Sequence, residues 1–362
     1  VKDREADAGI MISASHNPCE YNGIKIFDSN GYKLPDALEE EIESLVLDDD
    51  SRITFPTGGD VGSVFVRNDY LDLYIDHIVK SVNTDLSGLK IAIDCANGCA
   101  SYTAEKLFTR LGAECFFMHN KPNGVNINAN CGSTHMDDLI DYVNGHDVDL
   151  GLAFDGDSDR CLAVDENGKL IDGDKMIAVF ALDMKNEGTL VDETAVVTVM
   201  TNLGFKMFAK EYGIAVAETT VGDRYVLEEM LKNNYQIGGE QSGHIIFKRY
   251  ATTGDGQLSG AVLAAIMKKT GKSASELTSV MTVMPQTLVN VTASPELKAK
   301  LKTDEDIITS IDNAAKQLGE KGRILVRASG TEPLIRVMIE GENISEIKKL
   351  AKSVAAVIEG KA

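Results

Sequence analysis

The chain has 362 residues, which is enough for two to four domains that each bury a hydrophobic core. A formal net charge of −20 excludes nucleic acid and anionic membrane surfaces as expected partners, because both attract concentrated lysine and arginine. The apolar share of 43% includes no run long enough to cross a bilayer, and the charged N-terminal residues do not form a secretory signal, so a cytoplasmic globular protein is predicted.

The first predicted domain, residues 1–67, contains a loop centred on a serine. The apolar run at residues 8–12 predicts a short buried strand, and the run Ser-Ala-Ser-His-Asn-Pro follows it at residues 13–18. The proline ends the strand, so Ser15 is predicted where a rigid frame meets a loop, a position suited to a reactive hydroxyl. A hydrogen bond between Ser15 and His16 is not expected, because neighbouring side chains tend to point apart.

The rest of the first domain is predicted to place a lysine near this serine loop. Residues 23–27 alternate like a strand between turn residues, so Lys25 is expected on a strand close to the loop. A helix is predicted for residues 36–46, because acidic residues in its first turns suit the helix dipole. A linker rich in Asp and Gly follows at residues 48–62 and ends the domain.

The second and third predicted domains, residues 68–167 and 168–284, alternate strands with helices, which predicts parallel strand pairs with crossovers. Their main predicted strands are 90–94, 113–118, 149–154, 195–200 and 214–218, and their main predicted helices are 69–82, 102–111, 203–212, 224–232 and 257–269. In residues 285–362, strands (287–292, 323–328, 334–340) and helices (304–318, 345–358) are segregated. The predicted fold class is therefore α/β, with three mixed-sheet, βαβ-containing domains followed by a smaller α+β domain.

An acidic loop follows the predicted strand at 149–154 and has the sequence Asp-Gly-Asp-Ser-Asp-Arg. Asp155, Asp157 and Asp159 would repel one another without a cation, so a Mg²⁺ site is preferred to a solvated acidic turn. A calcium EF-hand is excluded, although Glu166 falls at its twelfth position, because Arg160 stands where the sharp turn needs glycine and the flanks predict strands. The six cysteines form no Cys-x-x-Cys pair, which favours reduced thiols.

Two further loops have the composition of ligand sites. The run Arg-Ala-Ser-Gly-Thr-Glu-Pro at residues 327–333 offers backbone N–H groups, hydroxyls and guanidinium groups to a phosphate, although a polar hairpin turn has the same pattern. It is not a Walker loop, because no lysine follows its glycine and no helix follows the loop. The candidate phosphate ligands are Arg327, Ser329, Gly330, Thr331 and, on the next strand, Arg336.

The other loop, Gly-Glu-Gln-Ser-Gly-His at residues 239–244, suits a sugar. Glu240, Ser242 and His244 supply donors and acceptors for hydroxyl groups, although a capped surface loop has the same composition. A phosphoryl-accepting hydroxyl, a cation, an anion site and a sugar loop together describe phosphoryl transfer on a phosphorylated sugar, with all four loops facing one central cleft.

The four loops occur in the order and spacing of the α-D-phosphohexomutases, and the resemblance covers nearly the whole chain. The Gln241 form of the sugar loop, with the runs at 221–226 and 333–338, resembles the branch of that family that acts on glucosamine phosphates. The resemblance implies an isomerase in which Ser15 is a phosphoserine and Arg160 lies against the transferring phosphate. By the same resemblance, the three aspartates and a phosphoserine oxygen hold one Mg²⁺, and Glu240 and Ser242 hold sugar hydroxyls. The resemblance also implies that the loop at 327–333, with Arg336, binds the phosphate that does not react.

The implied reaction converts glucosamine 6-phosphate to glucosamine 1-phosphate through glucosamine 1,6-bisphosphate, with a phosphorylated hexosamine as the partner and a monomer or homodimer as the assembly. Lys25 is the first candidate for moving the proton, because desolvation and neighbouring cations can lower a lysine pKa, and His16 and His244 are alternatives. Two alternative functions remain open, namely a phosphomannomutase or phosphoglucomutase, and an inactive binder of magnesium and sugar phosphate.

Family members carry an earlier segment of the first domain, so we expect that domain to lack its N-terminal part and to have an unpaired sheet edge.

Overall fold

The structure is a computed structural model that describes residues 1–47, 50–329 and 332–361. Residues 48 and 49 of the predicted linker, and Gly330 and Thr331 of the predicted phosphate loop, lie outside the described residues. The chain divides into two units: Val1–Met200 with Tyr212–Val280, and Thr201–Glu211 with the chain from Met281 onward. No helix among the described residues is long and apolar enough to cross a membrane.

The serine loop joins the two strands of a small antiparallel sheet. β1 (Ala8–Ile12) pairs with β2 (Ile24–Asp28), and α1 (Asp36–Leu47) follows. Both strands are confirmed, but the prediction that the first is buried is wrong, because the side chains of Ile10 and Ile12 are 70% and 77% exposed. β1 pairs only with β2, and its Ile10 and Ile12 face is not covered by the other described residues.

The second domain has a five-stranded mixed sheet in the order β4-β3-β5-β6-β7. Its strands are β3 (Lys90–Asp94), β4 (Glu114–Met118), β5 (Leu150–Phe154), β6 (Cys161–Asp165) and β7 (Leu170–Ile171), and its helices are α2 (Tyr70–Val82), α3 (Ala104–Arg110) and α4 (Asp137–Gly145). The strands β4, β3 and β5 are parallel, as the strand–helix–strand order predicts. Every residue of β5 is buried, and the acidic loop begins with the next residue, Asp155.

The third domain contains a four-stranded sheet in the order β11-β10-β8-β9. Its strands are β8 (Thr194–Thr198), β9 (Ala215–Thr219), β10 (Ile237–Gly239) and β11 (Ile245–Phe247), and its helices are α5 (Gly173–Asn186), α6 (Leu203–Tyr212), α7 (Asp223–Asn233), α8 (Gly256–Thr270) and α9 (Ala274–Thr278). The antiparallel pair β10 and β11 is joined by the predicted sugar loop. Asp255 caps α8 by accepting a hydrogen bond from the Leu258 backbone, and Gly271 ends the helix in the left-handed conformation.

The last domain is a three-stranded antiparallel sheet in the order β12-β14-β13 with helices packed against it. Its elements are β12 (Gln286–Thr292), α10 (Pro295–Lys300), α11 (Glu305–Leu318), β13 (Gly322–Ala328), β14 (Leu334–Gly341) and α12 (Ile344–Glu359). Apolar side chains of the strands, of α11 and of α12 form its core. The predicted class, α/β domains followed by a smaller α+β domain, is confirmed. The sheets of the second and third domains are mixed, as predicted, whereas the two-stranded sheet of the first domain is antiparallel.

A buried carboxylate holds the second unit together. The Glu340 side chain is fully buried and accepts hydrogen bonds from Asn202 Nδ2 at 3.1 Å, the Leu203 backbone at 3.0 Å and Gln286 Nε2 at 2.8 Å. It also forms an ion pair with Arg323, whose guanidinium donates to the Thr201 carbonyl. The segment that precedes and begins α6 is therefore tied to β13 and β14.

We expect Glu340→Ala to lower the free energy of unfolding of this unit by about 3–5 kcal/mol, because it removes a fully buried carboxylate that accepts three hydrogen bonds and forms an ion pair with Arg323. Chemical denaturation of the full chain, followed by a probe in β12 to β14, measures the effect. Glu342→Ala is the matched control, since its ion pair with Lys321 is exposed and we expect a change of about 0.5 kcal/mol or less. Equal losses for the two variants would contradict the assigned role of Glu340.

Candidate active site

The serine loop is held in a strained conformation against the acidic loop. Ser15 has a φ of 55°, in the left-handed region that residues with a side chain rarely adopt. Its Oγ donates to Asp155 Oδ2 at 2.8 Å, and its backbone N–H donates to Ser13 Oγ at 2.9 Å. The Ser13 hydroxyl in turn donates to Asp157 Oδ2 at 2.9 Å. The predicted nucleophile thus contacts the predicted metal loop directly, although the two are 140 residues apart.

The acidic loop has the donor set of a divalent cation site. One carboxylate oxygen from each of Asp155, Asp157 and Asp159 lies within 4.8 Å of the others. The Oδ1 atoms of Asp157 and Asp159 are buried and have no hydrogen-bond partner among the described residues. Burial, together with the charges of Asp159 and Asp157, raises the pKa of the Asp155 carboxyl to about 7. Unpartnered buried oxygens and a carboxyl that resists ionisation are the features that a bound magnesium ion would relieve.

Lys25 lies beside this cluster, as its predicted strand position implies. Its Nζ is 2.7 Å from Asp157 Oδ2 and 3.1 Å from Asp159 Oδ2. Burial opposes the lysine charge, but the two carboxylates outweigh it and raise the pKa of Lys25. The predicted lowering of that pKa is therefore wrong for this arrangement, because the nearest charged groups are anions.

His16 and Arg160 close the other side of the serine. The guanidinium Nη1 of Arg160 donates to His16 Nδ1 at 2.9 Å, and His16 Nδ1 lies 3.4 Å from Ser15 Oγ. The prediction that the serine and histidine side chains point apart is wrong, because the left-handed φ of Ser15 turns the chain at that residue. Burial and then the Arg160 charge lower the pKa of His16.

The sugar loop packs against the acidic loop. The Gly243 carbonyl accepts a hydrogen bond from the Cys161 backbone at 3.1 Å, just after the last aspartate. Ser242 Oγ is buried without a hydrogen-bond partner among the described residues, and Glu240 accepts from the Gly222 backbone at 3.1 Å. The serine, acidic and sugar loops therefore lie together in the first unit.

His244 differs from the other sugar-loop residues in its surroundings. It is 3% exposed, and its Nε2 lies 3.8 Å from Asp159 Oδ2 and 3.6 Å from Asp223 Oδ2. Burial lowers its pKa, against the effect of the two carboxylates. His244 thus contacts the metal loop rather than an open surface, and its predicted role as a sugar ligand stays a prediction.

The predicted phosphate loop belongs to the second unit. Arg327 and Arg336 are directly opposite on β13 and β14, and the Nε atoms of both are buried without a hydrogen-bond partner among the described residues. Burial and the Arg336 charge lower the pKa of Arg327. Two adjacent guanidinium groups that repel each other favour an anion between them. Ser329 is buried at the end of β13, and Lys298 donates to the carbonyls of Ser329 and Glu332 at 2.8 and 2.7 Å.

Several residues around these loops were missed by the sequence interpretation, namely Ser13, Asp94, Asn128, Asp223 and Lys298. Asn128 and Asp94 lie in the second domain, far along the chain from the serine loop that they help to hold. One signal was available: residues 126, 128 and 130 are all asparagine, a residue that tolerates the left-handed conformation. Lys298 had no comparable signal, because surface lysines on helices are common.

Sequence models of the phosphoglucomutase/phosphomannomutase family match four successive parts of the chain. They are alpha/beta/alpha domain I at residues 1–52, domain II at 72–168, domain III at 172–284 and the C-terminal domain at 288–357. The expectation that the first domain lacks its N-terminal part gains no support, because the domain I model matches at residues 1–52.

Comparison with individual proteins points to the same family. The phosphoglucosamine mutase of Clostridium novyi (strain NT) is 51% identical over 358 residues, which cover 99% of this chain and 80% of the relative. Among solved structures, a phosphoglucomutase/phosphomannomutase family protein from Burkholderia thailandensis superposes with a TM-score of 0.82 at 24% identity, covering 98% of this chain and 76% of that one. Aspergillus fumigatus N-acetylphosphoglucosamine mutase, solved with GlcNAc-6P and magnesium, superposes with a TM-score of 0.74 at 19% identity, covering 98% of this chain and 89% of that one. The chain therefore belongs to the phosphoglucomutase/phosphomannomutase family, the phosphohexomutase isomerases.

Proposed function

We propose that this protein is a phosphoglucosamine mutase, which interconverts glucosamine 6-phosphate and glucosamine 1-phosphate through a phosphoserine at Ser15 and glucosamine 1,6-bisphosphate. The observation that carries the proposal is the 2.8 Å hydrogen bond between Ser15 Oγ and Asp155 Oδ2, beside two further carboxylates with unpartnered oxygens. The 51% identity to a phosphoglucosamine mutase over nearly the whole chain supports the choice of sugar. The free state of all six cysteines supports a cytoplasmic enzyme.

The charges of the site explain why a metal ion is part of this proposal. Three carboxylates and a phosphoserine dianion together carry about five negative charges. Asp155, Asp157, Asp159 and a phosphoserine oxygen would hold the magnesium ion, which would supply two positive charges and polarise the phosphoryl group. Lys25 and Arg160 contribute further positive charge, since Lys25 contacts two of the carboxylates and Arg160 approaches Ser15 through His16.

Protons must also move. One leaves the attacking sugar hydroxyl, and another reaches Ser15 Oγ when the phosphoryl group departs. Lys25, with its raised pKa, holds a proton and suits donation, whereas His16, with its lowered pKa, is neutral near pH 7 and suits acceptance. The His16 ring nitrogen lies 3.4 Å from Ser15 Oγ but accepts a hydrogen bond from Arg160, so Lys25 and His16 are both retained as candidates for the proton transfers.

The phosphate that does not react is assigned, as part of this proposal, to Arg327, Ser329 and Arg336, with Gly330 and Thr331 of the same loop. The unpartnered Nε atoms of both arginines support this assignment. We further propose that the domains comprise residues 1–67, 68–167, 168–284 and 285–362. The bisphosphate turns round before its second phosphate returns to Ser15.

A coupled assay with matched sugar phosphates tests the choice of substrate. We expect kcat/KM for glucosamine 6-phosphate to exceed that for glucose 6-phosphate and mannose 6-phosphate by at least about 100-fold, because a site built for an amino group leaves polar groups unpaired with a hydroxyl sugar. Magnesium and a catalytic amount of the bisphosphate are present in every assay. Equal rates on the glucose and glucosamine phosphates would instead assign a phosphoglucomutase or phosphomannomutase.

A further inference from the structure

One side chain from the second domain holds both carbonyl groups that flank the reactive part of the serine loop. Asn128 Nδ2 donates to the Ser15 carbonyl at 2.9 Å and to the Asn17 carbonyl at 2.8 Å. Among the hydrogen bonds of the described residues, these two carbonyls have no other donor. Asn128 is 5% exposed, so water does not readily replace its amide.

The serine loop needs such a restraint, because Ser15 is held in the left-handed conformation. A residue with a side chain keeps a φ of 55° only where its surroundings over-determine it. Ser13 fixes the N–H of Ser15, and Asn128 fixes the carbonyl on the other side. Gly156 completes the contact, since a Cβ at that position would lie 2.5 Å from the Ser15 carbonyl and 2.8 Å from Asn128 Nδ2.

Asn128 is itself placed by the end of β3. Its backbone N–H donates to the Ala96 carbonyl at 2.9 Å, and the Ala96 N–H donates to Asp94 Oδ1 at 2.8 Å. The other oxygen of this buried carboxylate accepts from the Gly132 backbone at 2.9 Å and contacts His119 Nδ1 at 3.0 Å. Asp94 therefore ties both ends of the loop that presents Asn128.

We propose that Asn128 is a positioning residue that sets the orientation of the Ser15 hydroxyl toward the metal loop. This inference rests on the proposed mutase function. It predicts that loss of the two hydrogen bonds lets the backbone of residues 13–18 relax, which moves the nucleophilic oxygen away from in-line geometry. Because Asn128 contacts neither sugar nor phosphate in this assignment, the loss affects turnover more than substrate binding.

Asn128→Asp is the sharpest test, because it keeps the shape of the side chain and replaces the donor by an acceptor that faces two carbonyls. We expect kcat to fall by about 10- to 100-fold, while KM for glucosamine 6-phosphate changes by about twofold or less. Hydrogen exchange by mass spectrometry should show faster exchange confined to residues 13–18. Asn128→Gly accepts the positive φ and adds no charge near the metal site. Like Asn128→Asp, it should lower kcat and speed hydrogen exchange at residues 13–18.

Asn130→Asp is the matched control, since Asn130 also has a positive φ of 54°, is exposed and makes no side-chain hydrogen bond to another described residue. It should behave like the wild type in both measurements. Wild-type kcat and exchange in both Asn128 variants would overturn the inference, and so would faster exchange spread over the whole chain, which is the mark of general destabilisation. If the wild type and Asn130→Asp lack mutase activity, the proposed function fails, and local exchange at residues 13–18 still decides the role of Asn128.

Discussion

Ser15→Ala is expected to abolish mutase activity, lowering kcat by at least about 10⁴-fold, because it removes the hydroxyl that we propose carries the phosphoryl group between the two halves of the reaction. Intact-mass analysis after incubation with the bisphosphate and magnesium should show one phosphoryl group on the wild type and none on the variant. The structural reason is local: Ser15 Oγ is the hydroxyl that donates to Asp155, whereas the neighbouring Ser13 hydroxyl is engaged by Asp157 and the Ser15 backbone.

Ser29→Ala is the matched control, because Ser29 is exposed in the turn after β2. It should retain both the phosphoryl group and the activity. A Ser15→Ala protein that still accepts one phosphoryl group would place the nucleophile elsewhere. A wild type that binds magnesium and sugar phosphate without ever becoming phosphorylated would identify the chain as an inactive binder.

Loss of the metal ligands is expected to have the second-largest effect. Asp157→Asn removes one negative charge from the proposed ligand set, so we expect the affinity for Mg²⁺ to fall by at least about 100-fold and kcat to fall by a comparable factor. Titration calorimetry with Mg²⁺ measures the affinity, and the coupled assay measures the rate. Chelation with EDTA should remove the activity of the wild type, and excess Mg²⁺ should restore it.

The control for the metal site is Asp147→Asn, since Asp147 is exposed on the surface of the same domain and forms an ion pair with Lys90. It should bind magnesium like the wild type, because surface ion pairs contribute little. Addition of Mg²⁺ should also raise the unfolding temperature of the wild type and of Asp147→Asn, but not that of Asp157→Asn. Unchanged magnesium affinity in Asp157→Asn would show that the acidic loop is not the metal site.

Much of the fold and part of the site follow from local patterns. The apolar run of β5 between polar turns identifies a buried strand, and the acidic loop at its end follows from the sequence alone. The proximity of Ser15 to Asp155 was expected from the resemblance to the phosphohexomutases, which implies that a phosphoserine oxygen and the three aspartates hold one Mg²⁺. The exposure of Ile10 and Ile12 was not, because a run of apolar residues does not reveal how many strands will cover it.

Long-range geometry accounts for the residues that the sequence did not reveal. The pKa of Lys25 depends on two aspartates that lie more than 130 residues away along the chain, so its direction requires the folded arrangement. The contact of His16 with Ser15 depends on a single backbone angle. Asn128 acts on the serine loop through amide hydrogen bonds, and an isolated asparagine in a loop has too many structural uses to be assigned from its neighbours.

The hydrogen-bond network around Glu340 affects which fragments of the protein can be produced in folded form. A fragment that starts at the last domain boundary, near residue 285, omits Asn202 and Leu203 and so deprives the carboxylate of two of its donors. Such a truncated polypeptide should express poorly or aggregate, whereas a fusion that restores residues 201–211 through a short artificial tether should yield folded material. Recombinant work on the C-terminal region therefore has to respect proximity in space rather than continuity of the coding sequence.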